Sequence, residues 1–384
     1  MNSDIRVLYL VNGHIPNNRA NGVQIAHTCE ALGKQVTLTL ATRMTYVRVE
    51  DSFSRYGISP TFSHVKIFCI DIPKIPFRYA LRNASFFLCA NIYVLGFFIT
   101  NFIWGRKSVL YVRGEVILSL IPLALIFPIF FETHQIRNYV WLYRIALRRA
   151  RGIVVVTERL KKKFIEEYKI PAQKIIVARD AVDLEKFASV KKDSSLWLRH
   201  GIPMGKKIVL YSGTLAIEKG VDTVAQASAL VPDDVQIVFL GGTKDQVKIF
   251  KEKYDHSKNV SIIGRVDYID VPKYIASADV LVLPDSAFYT YSNLYTSPMK
   301  LFEYMASNRP IVASRVPSLS EVLDEDSAVF FESGNPQSLA LGVVQVLGDE
   351  VRSKEMSTRA GEMVTEFTWE KRTKAIVAHI LGEM

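Results

Sequence analysis

Short apolar runs of strand length recur along the chain, and the stretches between them are long enough for helices. IRVLYLV (5–11), QVTLTLA (35–41), VKIFCI (65–70), SVLYVRG (108–114), PIFFETH (128–134) and GIVVVT (152–157) form a first series. The alternation restarts after residue 200 with KIVLYSG, VQIVFLG, VSIIG, VLVLP, PIVAS and AVFF. Strands alternating with helices predict parallel sheets with crossovers, and two series predict two doubly wound sheets in tandem. A length of 384 residues agrees with two domains at about 150 residues each. The charged, serine-containing stretch SVKKDSSLWLRHG (189–201) is expected to join them. Residues 1–188 then form the first domain and 202–366 the second. Residues 367–384 are expected to be a terminal helix packing back toward the first domain.

One segment breaks the alternation. From Ala84 to Trp104 there is no charged residue, and Asn91, Thr100 and Asn101 do not collect on one helical face. A helix apolar all round is either buried or in lipid, and this one is long enough to span a bilayer. A span would cut the first sheet between its strands, which doubly wound topology does not allow. A core or membrane-dipping helix is therefore predicted, with Lys74, Arg78 and Arg82 before it and Arg106 and Lys107 after it.

Charge and cysteine usage narrow the partners. The net charge of +10 requires an anionic partner class. The basic residues are not interleaved with stacking aromatics in any nucleic-acid module, so nucleic acid is not expected. An anionic membrane surface or phosphorylated substrates fit the charge. Cys29, Cys69 and Cys89 are scattered singly without metal-type spacing, which suits reduced thiols in a cytosolic setting. The start, MNSDIRVLYLV, lacks the pattern of a signal peptide. A cytoplasmic protein, peripheral on the cytoplasmic face of a membrane, is the expectation.

Two segments carry chemistry. In YTSPMKLFEYMASNRPIVAS (295–314), Ser297 reads as an N-cap and Pro298 as the first helical residue. A helix starting at the carboxyl edge of a parallel sheet presents free N–H groups to a phosphate. Glu303, one turn in, can accept hydrogen bonds from a ribose diol, although a surface glutamate would fit the same pattern. In LYSGTLAIEKGVDTVAQAS (210–228), a strand ends in Ser-Gly-Thr and Lys219-Gly220 opens the next helix. Lys219 can reach a diphosphate as a mobile point charge, although Lys-Gly pairs are also common turn punctuation.

Together these segments resemble the retaining GT-B glycosyltransferases of family four, the glycosyl transferases group 1. Further similar segments follow in order: THQ (133–135), VVVTERLKKKF (154–164), VARDAVDLEKF (177–187), ASADVLVLP (276–284) and FTWEKRTKAIV (367–377). The resemblance implies the GT-B fold, with two Rossmann-like domains facing a cleft. It implies sugar transfer from a UDP- or GDP-linked donor to a glycan or lipid-linked acceptor, as in cell-surface polysaccharide synthesis. By resemblance His134 approaches the donor sugar, Lys219 neutralises the leaving diphosphate and Glu303 binds the nucleotide ribose. Gly22 resembles the glycine near the donor phosphates, and Gly264 and Arg265 stand where backbone groups meet the base. Ser297, Met299, Lys300 and Leu301 belong to the donor-binding helix start. No metal or other cofactor is expected.

The sequence also departs from the family pattern. Thr214 stands where an arginine usually lies beside the phosphate, and Tyr295 replaces the first of two glutamates. Pro298 replaces a glycine and has no N–H to offer. Asp180-Ala181 replaces an Asn-Gly turn, and Lys300 could restore a charge near the diphosphate. These changes keep open a catalytically inactive GT-B subunit acting as a binding protein. The paired acids of a sugar-nucleotide epimerase are not recognisable. The single Asp-x-Asp, Asp324-Glu325-Asp326, reads as a solvated loop. Base, sugar, acceptor and linkage are not legible.

Overall fold

The computed structural model describes residues 5–17, 19–44, 53–72, 77–135, 140–254, 256–289 and 294–382, so Lys74 lies outside the described residues. Two compact units are present: Met1–Arg179 with Trp369–Met384, and Asp180–Thr368.

The first unit is built on a seven-stranded sheet in the order β3-β2-β1-β4-β5-β6-β7. The strands are β1 (Ile5–Val11), β2 (Thr37–Arg43), β3 (Ser63–Ile67), β4 (Lys107–Arg113), β5 (Ile129–Thr133), β6 (Gly152–Val155) and β7 (Ile175–Val177). All pair in parallel. The apolar runs are buried as continuous strands, as parallel sheets covered on both faces require. The short β7 adds one strand to the six expected. The terminal helix Trp369–Gly382 packs against the helix Ala20–Gly33, with the Trp369 ring stacked on His27 at 5.5 Å.

The long helix Arg78–Ile103 covers the expected apolar segment. It buries Phe86, Ala90, Val94, Phe98 and Asn101, and it contacts β1, β3 and β4. Fewer than a third of the positions in its most apolar window are buried. The uniform apolarity of the sequence therefore conceals two faces, one against the sheet and one left bare.

The second unit carries a six-stranded sheet in the order β10-β9-β8-β11-β12-β13. Its strands are β8 (Lys207–Gly213), β9 (Val235–Gly241), β10 (Val260–Gly264), β11 (Val280–Leu283), β12 (Ile311–Ser314) and β13 (Val329–Phe331), again parallel throughout. Residues 189–201 do not run as a connection between the units. Leu196 and Trp197 are buried, Trp197 within the same core as Val182, Phe187 and Ile208, and its Nε1 donates to the Ser277 carbonyl at 3.0 Å. Two apolar anchors thus fold a charged stretch into the second unit, and the chain passes between units at 179/180 and 368/369.

Candidate functional site

In a doubly wound sheet, ligands bind outside the carboxyl ends of the strands where the strand order reverses. In the second unit this point lies between β8 and β11. Gly213-Thr214 and the turn Ile217–Lys219 follow β8, and Pro284-Asp285 follow β11. The two ends meet at Gly220, whose φ is +67° and whose added Cβ would stand 1.9 Å from the Pro284 carbonyl oxygen. Only glycine fits there.

Asp285 is fully buried and faces two cations. Lys219 Nζ donates to Asp285 Oδ1 at 3.2 Å, and Lys300 Nζ lies 3.5 Å from Oδ2. Lys300 also stands over the Tyr211 ring, 4.7 Å from its centroid. Burial alone would raise the Asp285 carboxyl, but Lys300 and Lys219 outweigh it and hold the group below its ordinary value. Burial lowers the Lys300 ammonium, and Lys219 adds to that lowering against the pull of Asp285. Two ammoniums thus stand beside one buried carboxylate, with the Glu303 carboxyl also acting on Lys300, in a low-dielectric place where charges interact strongly. The Ser314 and Ser333 hydroxyls donate to the Asp285 carbonyl at 2.7 and 3.2 Å and fix the turn.

Glu303 lies on the helix Met299–Ala306, which also carries Lys300. It is buried and accepts a 2.8 Å hydrogen bond from the Tyr268 hydroxyl. Burial pushes its carboxyl up to about 7; Tyr268 pulls down, Asp180 pushes up and Lys300 pulls down. The surface-glutamate alternative is thereby removed. The neighbouring Tyr304 hydroxyl accepts from the Ser212 N–H at 2.8 Å, tying this helix to the end of β8.

The helix start differs from the expected one. Pro298, with an extended ψ of 126°, is the N-cap, and the helix begins at Met299. Ser297 makes no cap; its Oγ accepts from the Asp180 N–H at 3.0 Å. Leu301 packs into the core and its N–H goes to the Pro298 carbonyl at 3.0 Å, while Met299 is also buried. Thr214 is exposed just beyond β8, and its carbonyl accepts from Tyr211 at 2.7 Å. Gly264 ends β10 with φ +83°, and Arg265 beyond it is exposed. Asp324-Glu325-Asp326 forms a surface turn, with Glu325 paired to Arg315 at 2.7 Å and Asp326 to Arg352 at 2.9 Å.

In the first unit the carboxyl end of β5 holds Glu132, with no exposed surface. Its Oε1 accepts from Arg372 Nη2 at 2.8 Å and bonds His134 Nε2 at 2.6 Å; its Oε2 accepts from Tyr111 at 2.7 Å and Tyr9 at 3.2 Å. Arg113 Nη1 stands 3.8 Å away and donates to Gln24. Burial would raise the carboxyl, but Arg372, the His134 hydrogen bond and Arg113 hold it well below the carboxylate range. His134 is thus gripped by a permanent anion at a strand end. Arg372, from the terminal helix, spends its other nitrogens on the Arg179 carbonyl at 3.0 Å and Thr28 Oγ1 at 3.2 Å. Gly22 lies in the first turn of Ala20–Gly33, where an added Cβ would stand 2.5 Å from Asn17 Oδ1 and 2.7 Å from the Tyr56 hydroxyl.

The structure therefore groups Lys219, Lys300 and Glu303 in the second unit and places His134 and Gly22 in the first. Sequence reasoning missed Asp285, Tyr268, Glu132 and Arg372. A lone carboxylate inside or directly after an apolar strand, as in IFFET and VLVLPD, was the available signal.

Comparison with known proteins follows this division. Residues 198–363 match the family model described as Glycosyl transferases group 1. A D-inositol 3-phosphate glycosyltransferase of Corynebacterium diphtheriae is 25% identical over 56% of this chain and 52% of its own length. An alpha-D-kanosaminyltransferase of Streptomyces kanamyceticus is 25% identical, over 58% of each chain. The chain thus spans about half the length of the curated relatives it matches. Among solved structures, sucrose-phosphate synthase from Thermosynechococcus elongatus superposes with a TM-score of 0.75 at 16% identity, covering 97% of this chain and 98% of that one. HepE from Anabaena, in complex with UDP, gives 0.72 at 15% identity and covers 98% and 100%. The fold is GT-B.

Within the GT-B first unit, Arg372→Met leaves the Glu132 charge buried without its main partner. Breaking such a pair from one side costs roughly 3–5 kcal/mol. Urea denaturation should show a loss of that order, whereas Lys374→Ala, at an exposed pair with Glu370, should leave the midpoint almost unchanged. Equal midpoints for the two variants would remove Arg372 from this role.

Proposed function

We propose that the protein is a glycosyltransferase that moves a sugar from a nucleotide-diphosphate sugar to a glycan or lipid-linked acceptor, with retention at the anomeric carbon. The observation that carries this reading is the buried carboxylate Asp285 flanked by Lys219 and Lys300, with Glu303 on the helix that bears Lys300. The names of the matched relatives support glycosyl transfer, and the HepE structures with UDP and UDP-glucose make a UDP-linked donor the first to test.

The chemistry follows from the charges. The bond from the anomeric carbon to the diphosphate breaks with its electron pair going to the diphosphate oxygen, leaving an oxocarbenium-like centre. The acceptor hydroxyl oxygen forms the new bond and gives up its proton as the nucleoside diphosphate is released. Negative charge grows on the diphosphate in the transition state, and preorganised cations stabilise it there. Lys219, less buried than Lys300, is the cation that can turn from Asp285 to the diphosphate. Asp285 holds both ammoniums in place beforehand, so their alignment costs little at the moment of reaction. Glu303 accepts the ribose hydroxyls. The resemblance gives His134 a role at the donor sugar, and Glu132 fixes that imidazole by its Nε2. On this reading Lys219 and Lys300 meet the diphosphate charge that a divalent cation would otherwise meet, and transfer needs no metal.

Lys219→Ala should lower turnover by about 10²–10³, the usual effect of losing one transition-state contact. That is far more than the stability lost with its contact to Asp285 accounts for in the fraction of folded enzyme. Unchanged release of UDP from UDP-glucose or another responsive donor would remove the lysine from the mechanism.

Glu303 gives a pH signature. Its native pKa of about 7 lies above the ordinary 4.5, so the folded protein holds a proton that the unfolded chain has lost across that interval. Its contribution to stability is therefore complete at acid pH and declines as pH rises through about 7. Nucleotide binding runs the opposite way, because the ionised carboxylate is the stronger acceptor for the ribose. UDP affinity measured by calorimetry should rise through pH 7 and release protons, and Glu303→Gln should bind more weakly with a flat profile. A wild-type profile matching that of the variant would contradict the ribose assignment.

Transfer should persist in excess chelator. A complete loss that added magnesium or manganese restores would overturn metal-free catalysis.

A further inference from the structure

The long helix Arg78–Ile103 rests one face on the first sheet and leaves the other bare. Leu88, Ile92, Leu95, Ile99 and Ile103 follow one another at three- or four-residue steps on the bare side, and all are exposed. Residues at such steps share one helical face, so the exposure forms one stripe. Phe102 and Trp104 at its end are 85% and 67% exposed. On its covered side Phe98 stacks on Phe127 at 4.0 Å, and in that loop Leu125 and Ile126 are also exposed, lining a depression with Arg151.

Apart from Thr100, which is exposed beside Ile99, the polar side chains in the middle of the helix bond inward. Asn91 Nδ2 donates to the Phe87 carbonyl at 2.8 Å and to Ser119 Oγ at 3.1 Å. Asn101 donates to the Phe97 carbonyl at 2.8 Å, and Ser85 Oγ to the Leu81 carbonyl at 2.8 Å. A protein partner normally meets a polar rim with hydrogen bonds as well as apolar area. Here the stripe carries almost none, and its margins are cationic. Arg106 and Lys107 close the carboxyl end, with the Arg106 guanidinium over the Trp104 ring at 5.7 Å. Arg78 and Arg82 open the amino end, Arg82 over Tyr79 at 4.8 Å, with Asp71 offsetting one of the two charges at 2.5 Å from Arg78. Between Arg78 and Lys107 there is no carboxylate. A second copy docked on the stripe would set cations against cations in either orientation.

We propose that this face docks on an anionic lipid bilayer, with the helix lying in the plane of the interface. An apolar stripe edged by Arg and Lys, with an aromatic ring at the margin, fits the headgroup boundary of such a surface. The charge of the whole chain, +10, acts in the same direction. The helix does not cross the bilayer, because Phe86, Ala90, Val94 and Phe98 are committed to the sheet. It follows β3 and leads into β4, so both of its ends are tied to strands of the first sheet. The docking needs no glycosyl transfer, and its test reads no turnover.

The full chain is cosedimented with vesicles of phosphatidylcholine alone and of phosphatidylcholine mixed with phosphatidylglycerol. Binding should be strong to the mixed vesicles at low salt and fall as salt rises. Ile92→Glu with Ile99→Glu places charges on an exposed face, so the circular dichroism melt should be retained and binding lost by at least about tenfold. Arg106→Gln with Lys107→Gln should weaken binding to the anionic vesicles by about fivefold per residue and leave neutral vesicles unaffected. No sedimentation at low salt would overturn the proposal, as would binding that the glutamate pair leaves intact. Retention through salt and alkaline washing would indicate a span and overturn it. A dimer in analytical ultracentrifugation that the glutamate pair abolishes, without vesicle binding, would assign the face to a second copy and overturn it as well.

Discussion

A carboxylate with no access to water must be neutralised where it stands, and Glu132 sets that demand at the end of β5. Its position in the run IFFET is the consequence of a strand whose other residues are needed for the core. The answer comes from far along the sequence. Arg372 reaches it from the terminal helix, so the last residues of the chain are bound into the first unit although the second unit intervenes in sequence. Tyr9 and Tyr111 donate to its other oxygen from the two strands at the point where the sheet reverses order, and Gln24 adds a 3.4 Å bond to the first. Since the carboxyl is held low, its contribution is present throughout the neutral range and is lost only as pH falls into strong acid. The same anion orients His134, so the anchor of the fold and the setting of the candidate histidine are one interaction.

The second unit poses the same problem at Asp285 and solves it differently. Glu132 is met by the Arg372 guanidinium, whose three nitrogens are all used, by a nearby Arg113, an imidazole, the Gln24 amide and two phenols. Asp285 is met by two lysines on flexible stems. Arginine with three directed bonds suits a permanent structural contact, and lysine on a flexible stem suits a charge that must turn toward a ligand. The difference in residue type agrees with the proposed division between a contact that stays and one that turns to a donor.

Much of the fold was legible because parallel strands buried on both faces read as continuous apolar runs. All six strands of the second sheet and five of seven in the first announce themselves this way, while the edge strand β3 shows an apolar run although most of it is not buried. The three residues of β7 are too short to show a period, and 189–201 misleads because two buried residues, Leu196 and Trp197, decide its place against many charged ones. Lys219 and Glu303 were legible through local patterns of turn and helix. Asp285 was not, since its partners lie 66 and 15 residues away and a Pro-Asp pair after a strand is also an ordinary turn. At Pro298 the sequence offers two places in the first turn, and the extended ψ selects the cap, which releases Ser297 to hold Asp180. For Arg78–Ile103 composition gave length and apolarity but no direction. The sheet chose one face, and what remained outside is set by that choice.

The site of the second unit also carries its own proton balance. Lys300 is lowered by burial and by Lys219, while Glu303 is raised by burial and by Asp180, so each is drawn toward its neutral form. A diphosphate beside Lys300 would pull the ammonium back up, and a ribose diol donating to Glu303 would pull the carboxyl down. Both shifts favour the charged forms, one taking up a proton and the other releasing one. Binding a nucleotide diphosphate would therefore convert two destabilised groups into two satisfied ones, with the net proton count set by which starts further from its charged state. At Lys300, Asp285 pulls against a lowering that burial and Lys219 produce. Glu303, with only Tyr268 and Lys300 to oppose its burial and Asp180, is the group that moves near neutral pH. On the proposed ribose contact, the proton released on binding would then be that of Glu303.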